Sequence, residues 1–436
     1  MSERAIILSD LHLAVSGAGG FAEDVALVGL IERLLGDDID TELVLAGDIF
    51  DFLLDPEYDG FSREVAVARL ARVLEAHCEV VAALRAFGAR AGNSIAVLPG
   101  NHDPELGLPE VRAHLASELG VARLGDEVEL VPARGTPALF GHTIGPEGAP
   151  VWVVHGDRWD PDNFIARASL RERGEVALPL GSRLVIEVLR DLRAAGYEWI
   201  YWLKPELATV VPLLLYLDPQ RTWACVGAHL GLSAKLLASQ VRTLTRSTGL
   251  FDGGAATGER PPEWIADLAA TLGAPSRAGG ARDEVEATLA ALERALERGH
   301  PPVRQDALTG HGGLRKWLIR AWLAGVRRRD CFAMPDGPDP IRDRMRSMIP
   351  SEVAAVVVGH THGARAFEGP RYVNTGTWLP VVGVPEGELE EVIDAIERGE
   401  LRGQAPRSYA EVSFDGSPRV RLCWCDDRGA ERIGEP

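Results

Sequence analysis

The amino-acid sequence predicts an α/β fold whose core is split by a large, mostly helical insertion. The first observation is a set of five short apolar runs, Arg4–Ser9, Glu42–Ala46, Ser94–Pro99, Val151–Val154 and Ala354–Val358. Each is rich in Val, Ile, Leu and Ala and ends abruptly in polar residues, as strands buried on both faces do. The second is helical spacing between several runs: over Phe61–Ala86, the residues Val65, Leu70, Val73, Leu74, Val81 and Leu84 recur near a helical period. Strands alternating with helices make an α/β core, and such cores bind ligands at the carboxyl ends of their strands. The third is a change of character after about residue 165, where long helical patterns run on without another strand ending in a polar cluster until Ala354.

These observations divide the chain into a first core segment, 1–164, an insertion, 165–350, and a second core segment, 351–436. With 436 residues the chain exceeds what one hydrophobic core usually organises. Gly253 to Gly280 is rich in Gly, Ala and Pro and reads as a loop or linker. After Gly359, strand-like runs return at Arg371–Asn374, Tyr409–Phe414 and Arg419–Trp424, the last two joined by an Asp415-Gly416 turn that marks a hairpin.

Composition excludes several classes. Five scattered cysteines (Cys78, Cys225, Cys331, Cys423, Cys425) do not make a disulfide framework and suit a reducing compartment. Cys423 and Cys425 would share a strand face, but two thiols alone are not a zinc site and read as packing. No secretory leader is visible, and the longest uncharged apolar stretch, Leu207 to Leu217, is too short to span a bilayer and contains Pro212. A cytoplasmic protein, peripheral on the inner membrane face at most, is the expectation. Charge is uneven: residues 165–350 hold 26 Lys and Arg against 21 Asp and Glu, and the rest holds 20 against 43. A basic middle in an acidic chain suits contact with something anionic, although large proteins also show such offsets without a partner.

The strand ends carry the chemistry. They read Ser9-Asp10-Leu11-His12, then Gly47-Asp48-Ile49-Phe50-Asp51, Gly100-Asn101-His102-Asp103, His155-Gly156-Asp157 and Gly359-His360-Thr361-His362. Asp10 and His12, like His360 and His362, are two apart, so in extended chain their side chains share a face. A carboxylate such as Asp48 can bridge two cations, and mixed oxygen and imidazole donors suit manganese, iron or zinc rather than calcium. Any one motif alone is weak: Asp-x-His is usually a cap or surface pair, and Gly-Asn-His-Asp can be a polar turn. Gly141-His142-Thr143 resembles a fragment of the last motif but lacks its second His. Five such clusters in order, each at a strand end, are specific.

In this order the motifs resemble those of the calcineurin-like metallophosphoesterase superfamily, D-x-H, GD-x-x-D, GNHD, a lone H and GH-x-H, over residues 1–164 and 351–436. The resemblance implies a four-layer αββα sandwich of two mixed sheets packed face to face. It also implies two divalent metal ions, manganese first, with iron or zinc as alternatives. Asp10, His12, Asp48 and His362 would hold one ion; Asp48, Asn101, His155 and His360 would hold the other. Two cations about 4 Å apart share and acidify a water, so the expected reaction is hydrolysis of a phosphodiester or pyrophosphate by metal-activated hydroxide. His102, beside a ligand but not itself one, is expected to protonate the leaving group, oriented by Asp103.

The insertion bears on the substrate. Leu314, Trp317, Leu318, Ala321, Trp322, Gly325 and Val326 share a helical face surrounded by Arg315, Lys316, Arg320 and Arg327–Arg329. This is the pattern of an interfacial helix, and Trp199–Lys204 is a second candidate for contact with an anionic membrane; packing on the protein's own core is the alternative for both. Within the superfamily the arrangement looks most like the UDP-diacylglucosamine hydrolases, which place a helical cap at this point and release UMP from a lipid-linked substrate. The chain differs from them at His102, where Arg is common, and in its longer insertion. Arg158 and Asn163 are candidate substrate contacts. The alternatives are a nuclease, nucleotide phosphodiesterase or protein phosphatase of the same fold, and a scaffold whose cap binds membrane or a partner. The acidic core disfavours a long nucleic acid.

Overall fold

The structure, a computed structural model, describes residues 2–15, 23–131, 139–204, 213, 339–367, 371–383 and 389–432. All five apolar runs form strands: β1 (Arg4–Leu8), β2 (Thr41–Ala46), β3 (Ser94–Leu98), β6 (Val151–Val153) and β8 (Ala355–Val358). Two short strands precede β6, namely β4 (Val128–Leu130) and β5 (Leu139–Ile144). A two-residue strand, β7 (Leu203–Lys204), pairs in parallel with β11 (Val382–Gly383). The remaining strands are β9 (Arg365–Phe367), β10 (Arg371–Asn374), β12 (Ser408–Ser413), β13 (Arg419–Cys425) and β14 (Glu431–Arg432).

These strands build two mixed six-stranded sheets. One has the order β14-β13-β12-β1-β2-β3, with β1, β2 and β3 parallel and β12 antiparallel to β1. The other has the order β4-β5-β6-β8-β10-β9, with β6, β8 and β10 parallel. Alternate residues of both face one shared core: Ile7, Val44 and Leu98 from the first sheet meet Val151, Val153 and Val357 from the second. Period-two alternation in runs that are apolar throughout gives each strand a second buried face. On the second sheet that face holds Trp152, Val154, Val356 and Val358, covered by Trp159, Ile341 and Met345. The predicted hairpin is present, with Ser413 opposite Arg419 and Gly416 at φ 132°.

The helices of the first segment are α1 (Asp24–Gly36), α2 (Arg63–Ala76), α3 (Cys78–Ala89) and α4 (Pro109–Glu118). Their apolar faces meet the outer face of the first sheet, where Leu8 and Leu45 border one small cavity with Leu27, Val73, Val80, Leu84 and Leu115. The helical stretch 61–86 is two helices, not one. The break falls at His77, where φ is −117° and ψ 42°; its ring has Nδ1 2.8 Å from Asp24 Oδ1 and Nε2 2.9 Å from the Ala14 carbonyl. Further on come α5 (Arg167–Arg173), α6 (Leu180–Leu184), which runs through a π-type turn into α7 (Arg190–Ala194), α8 (Pro340–Met345) and α9 (Leu389–Glu397).

One compact unit, Met1–Glu206 with Arg329–Pro436, holds both sheets. The basic amphipathic stretch 314–329, the loop 253–280, Cys225 and Cys331 lie outside the described residues. In the stretch 199–204, Trp199, Ile200 and Leu203 are buried and serve packing, whereas Tyr201 and Trp202 are half-buried. No helix among the described residues is long and apolar enough to cross a membrane. Cys423 and Cys425 are buried on one face of β13, and burial pushes both thiols up to about 12, as packing residues require.

Candidate metal centre

Every candidate ligand follows the carboxyl end of a strand within a few residues, and after β1, β2 and β8 the ligands themselves sit in left-handed backbone. Asp10, His12, Asp48, His360 and His362 have φ of 52°, 55°, 52°, 71° and 58°. Among the described residues Arg407 is the one other non-glycine residue at positive φ. Left-handed backbone costs a side-chain-bearing residue about 1–3 kcal/mol, and such strain collects at functional sites. The turns also correct the expected extended geometry of Asp-x-His and His-x-His: a left-handed residue at each position, rather than strand alternation, brings the paired side chains together. Glycine supplies the remaining room. A Cβ on Gly100 would collide with Asp48, and one on Gly359 with Ser9 and Asp10.

Three overlapping groups of ligand atoms result: Asp10, His12 and His362; His12, Asp48 and His102; and Asp48, His155 and His360. His12 Nε2 faces His362 Nε2 at 3.2 Å, and His362 Nε2 lies 3.3 Å from Asp10 Oδ1. His155 Nε2 lies 3.2 Å from Asn101 Oδ1 and 3.3 Å from Asp48 Oδ2. Asp10, His12, Asp48, Asn101, His155 and His360 are all buried, while His362 and His102 are slightly more open. The sequence-predicted ligands are therefore in one place, although His362 is 350 positions from His12.

The electrostatics fit a cationic occupant. Burial penalises both carboxylates, yet His362 holds Asp10 below the usual carboxylate range, and His155 and His102 hold Asp48 well below it. Burial also works against a charged His155, but Asp48, with Asp10 behind it, pushes that imidazole up to about 10. Two buried carboxylates thus hold a proton on the nitrogen that faces them, the atom a divalent ion would bind. His155 Nδ1 lies 3.1 Å from the Ala46 carbonyl and His12 Nδ1 lies 3.0 Å from Asp51 Oδ2. Both oxygens accept, so each ring has its Nδ1–H directed outward and its Nε2 directed into the cluster, the arrangement ligating imidazoles require. The donor set fits divalent metal ions.

Asp103 does not orient His102. Its buried carboxylate accepts the backbone N–H groups of Gly100 (2.6 Å), Ile49 (2.8 Å), Phe50 (3.0 Å) and Asp48 (3.2 Å), lacing the second and third motifs together. The partner of His102 is Asp51, whose Oδ2 lies 3.0 Å from His102 Nδ1. Burial would raise the Asp51 carboxyl, but His102 and His12 hold it below the carboxylate range. The spacing Gly-Asp-x-x-Asp was the one available signal for Asp51, and it does not say which imidazole the second Asp meets. His102 also stands close to His12, ring centroids 4.6 Å apart.

Other supports were not legible. Asn374, the last residue of β10, donates Nδ2 to the Gly359 carbonyl at 2.9 Å and to Thr361 Oγ1 at 2.8 Å, pinning the last motif. Thr377 Oγ1 donates to the Asp10 carbonyl at 2.9 Å, and the buried Trp378 donates Nε1 to the Ser408 carbonyl at 2.9 Å. Arg158 is half-buried beside the Phe164 ring, 5.8 Å from its centroid. Asn163 donates Nδ2 to Asp160 Oδ2 at 2.7 Å, and Asp160 Oδ2 lies 3.1 Å from His360 Nε2. His142, in the motif-like fragment, is engaged away from the cluster, with Nε2 2.8 Å from Glu42 Oε1 and Nδ1 3.1 Å from the Asp126 carbonyl.

Residues 3–191 match the family model of the calcineurin-like phosphoesterases. No curated protein matches the chain. The match ends well before Gly359, but β8 lies between β6 and β10 and returns His360 and His362 to the same cluster. The match over residues 3–191, together with the clustered ligand residues, makes the chain a metal-dependent phosphoesterase with a calcineurin-like segment at 3–191.

Proposed function

We propose that the chain hydrolyses a phosphodiester or pyrophosphate bond at a centre of two divalent ions that share Asp48. The observation that supports this reading is the place of Asp48 in two of the three ligand groups, one with His12 and His102 and one with His155 and His360. Asp10, His12, Asp48 and His362 would hold one ion; Asp48, Asn101, His155 and His360 would hold the other. When bound, such ions supply positive charge at the phosphoryl oxygens and a water of lowered pKa. The donor set accommodates manganese, iron or zinc, and manganese is the first choice.

The chain's own residues do the rest. With Asp51 beside Nδ1, His102 would act as the imidazolium: its Nε2–H would pass to the leaving oxygen as the ester bond breaks, leaving the neutral ring with Nδ1–H still directed at Asp51. Asp103 holds the loop that carries His102 through backbone N–H groups alone. Arg158, half-exposed close after His155, is the proposed contact for a non-bridging phosphate oxygen.

For the substrate we infer a lipid-linked or otherwise amphiphilic phosphate ester, with a UDP-sugar-lipid as the specific candidate. Support comes from the sequence of the segment that separates the two halves of the catalytic unit, with its tryptophans and arginines over 314–329. The experiment is release of UMP from UDP-diacylglucosamine in detergent micelles with Mn²⁺, alongside a generic phosphodiester, with Asp48→Asn protein as control. Generic turnover lost in the control carries the catalytic reading. UMP release carries the lipid substrate, and its absence beside intact generic turnover removes that substrate alone.

A further inference from the structure

Asp160 lies five residues after His155, in the turn that leaves β6, and the metal reading above gives it no role. Its carboxylate is held from three directions. Asp162 donates its backbone N–H to Oδ1 at 3.0 Å, Asn163 donates Nδ2 to Oδ2 at 2.7 Å, and His360 Nε2 stands 3.1 Å from that same Oδ2. The contact joins positions 200 residues apart in the chain, and the two side chains are 18% and 2% exposed.

A carboxylate has no proton to give, so the hydrogen in this pair belongs to His360 Nε2. A neutral imidazole protonated there carries its lone pair on Nδ1, which leaves that buried nitrogen to serve the group His360 forms with Asp48 and His155. His12 and His155 show the same division with the nitrogens exchanged: Asp51 and the Ala46 carbonyl take their Nδ1, and Nε2 turns inward. Ligating imidazoles depend on such oxygen partners for tautomer and ring rotation.

We propose that Asp160 is a positioning residue for the metal centre: it fixes His360 in the tautomer and rotation that present Nδ1 to a divalent cation, and Asn163 holds Asp160 in place. The inference rests on the metal reading given under Proposed function. It also reassigns Asn163, whose amide nitrogen is committed to Asp160, from a substrate contact to a brace.

The test is Mn²⁺ binding to the full chain, by equilibrium dialysis and titration calorimetry, for wild type, Asp160→Ala, Asp160→Asn and Asn163→Ala. Melting of each metal-free protein serves as the fold control. Wild type should take up two ions. Asp160→Ala should weaken one of the two sites by about 10- to 100-fold and leave the other unchanged. Asp160→Asn, which keeps an acceptor oxygen, should stay within about threefold of wild type, a rescue that loss of packing would not give. Visible absorption of the Co²⁺-loaded protein should change for the alanine variant at one site. Should Asp160→Ala fail to fold, Asn163→Ala must show the same one-site weakening at smaller size. Unaltered two-site binding by Asp160→Ala, or equal losses in the alanine and asparagine variants, would overturn this inference alone. A wild type that takes up no second ion would overturn the metal reading and this inference with it.

Discussion

Asp51 Oδ2 stands 3.0 Å from His102 Nδ1, and the same oxygen is 3.0 Å from Nδ1 of His12. One carboxylate oxygen therefore governs both a proposed metal ligand and the proposed proton donor. His102→Ala should lower turnover by about 10²- to 10⁴-fold while the protein still binds two Mn²⁺. Asp51→Asn should lower turnover and also weaken Mn²⁺, because His12 loses its partner. Steady-state rates beside metal content check both; loss of metal from His102→Ala would make His102 a ligand, as its place with His12 and Asp48 allows.

The Asp103 carboxylate accepts four backbone N–H groups. Asp103→Ala would strand those donors in a fully buried place, so urea unfolding should show a loss of about 3 kcal/mol or more. The fall in kcat should accompany a fall in metal content, since both motif loops loosen together.

A methyl group at residue 100 has no room beside Asp48 Oδ1 and its backbone nitrogen. Gly100→Ala should bind less than one Mn²⁺ per chain although the strands on either side still fold. Circular dichroism together with metal analysis decides it; two ions bound at wild-type affinity would show that Asp48 can move away.

Metal-free protein should melt at a lower temperature than metal-loaded protein. Cation binding to the folded state alone adds stability by mass action, about 2.7 kcal/mol at a hundred times the dissociation constant. EDTA should lower the melting temperature and abolish turnover, Mn²⁺ should restore both, and Asp48→Asn protein should respond to neither.

Glu105 is fully buried in the turn after the third motif, with Arg69 Nη1 3.6 Å from Oε1, and burial pushes its carboxyl up to about 7. Below the ordinary carboxylate value of 4.5 both folded and unfolded chains hold this proton. Between there and about 7 the folded chain alone keeps it, so this group's contribution to stability falls as pH rises through that window and is level above it. Glu105→Gln should remove that slope and raise stability at pH 8 by up to about 3 kcal/mol relative to wild type. Urea midpoints of both proteins from pH 5 to 8 check it; parallel curves would place the slope elsewhere.

What the sequence by itself determined is the set of strands and the chemistry at their ends. Arg4–Leu8, Thr41–Ala46 and Ala355–Val358 were legible because a strand buried on both faces must be apolar throughout, and the polar residues that follow it stand out. Their order identified the ligand types without any knowledge of contacts. The tertiary structure alone decided which groups face each other. Nothing local says that His12 meets His362 across most of the chain, that Asp51 rather than Asp103 pairs with His102, or that Asp160 reaches His360. It also decided that Trp199 and Leu203 pack inside. The physical reason is that apolar periodicity is a property of neighbouring residues, whereas a hydrogen-bond partner and an imidazole tautomer depend on which loops two packed sheets bring together.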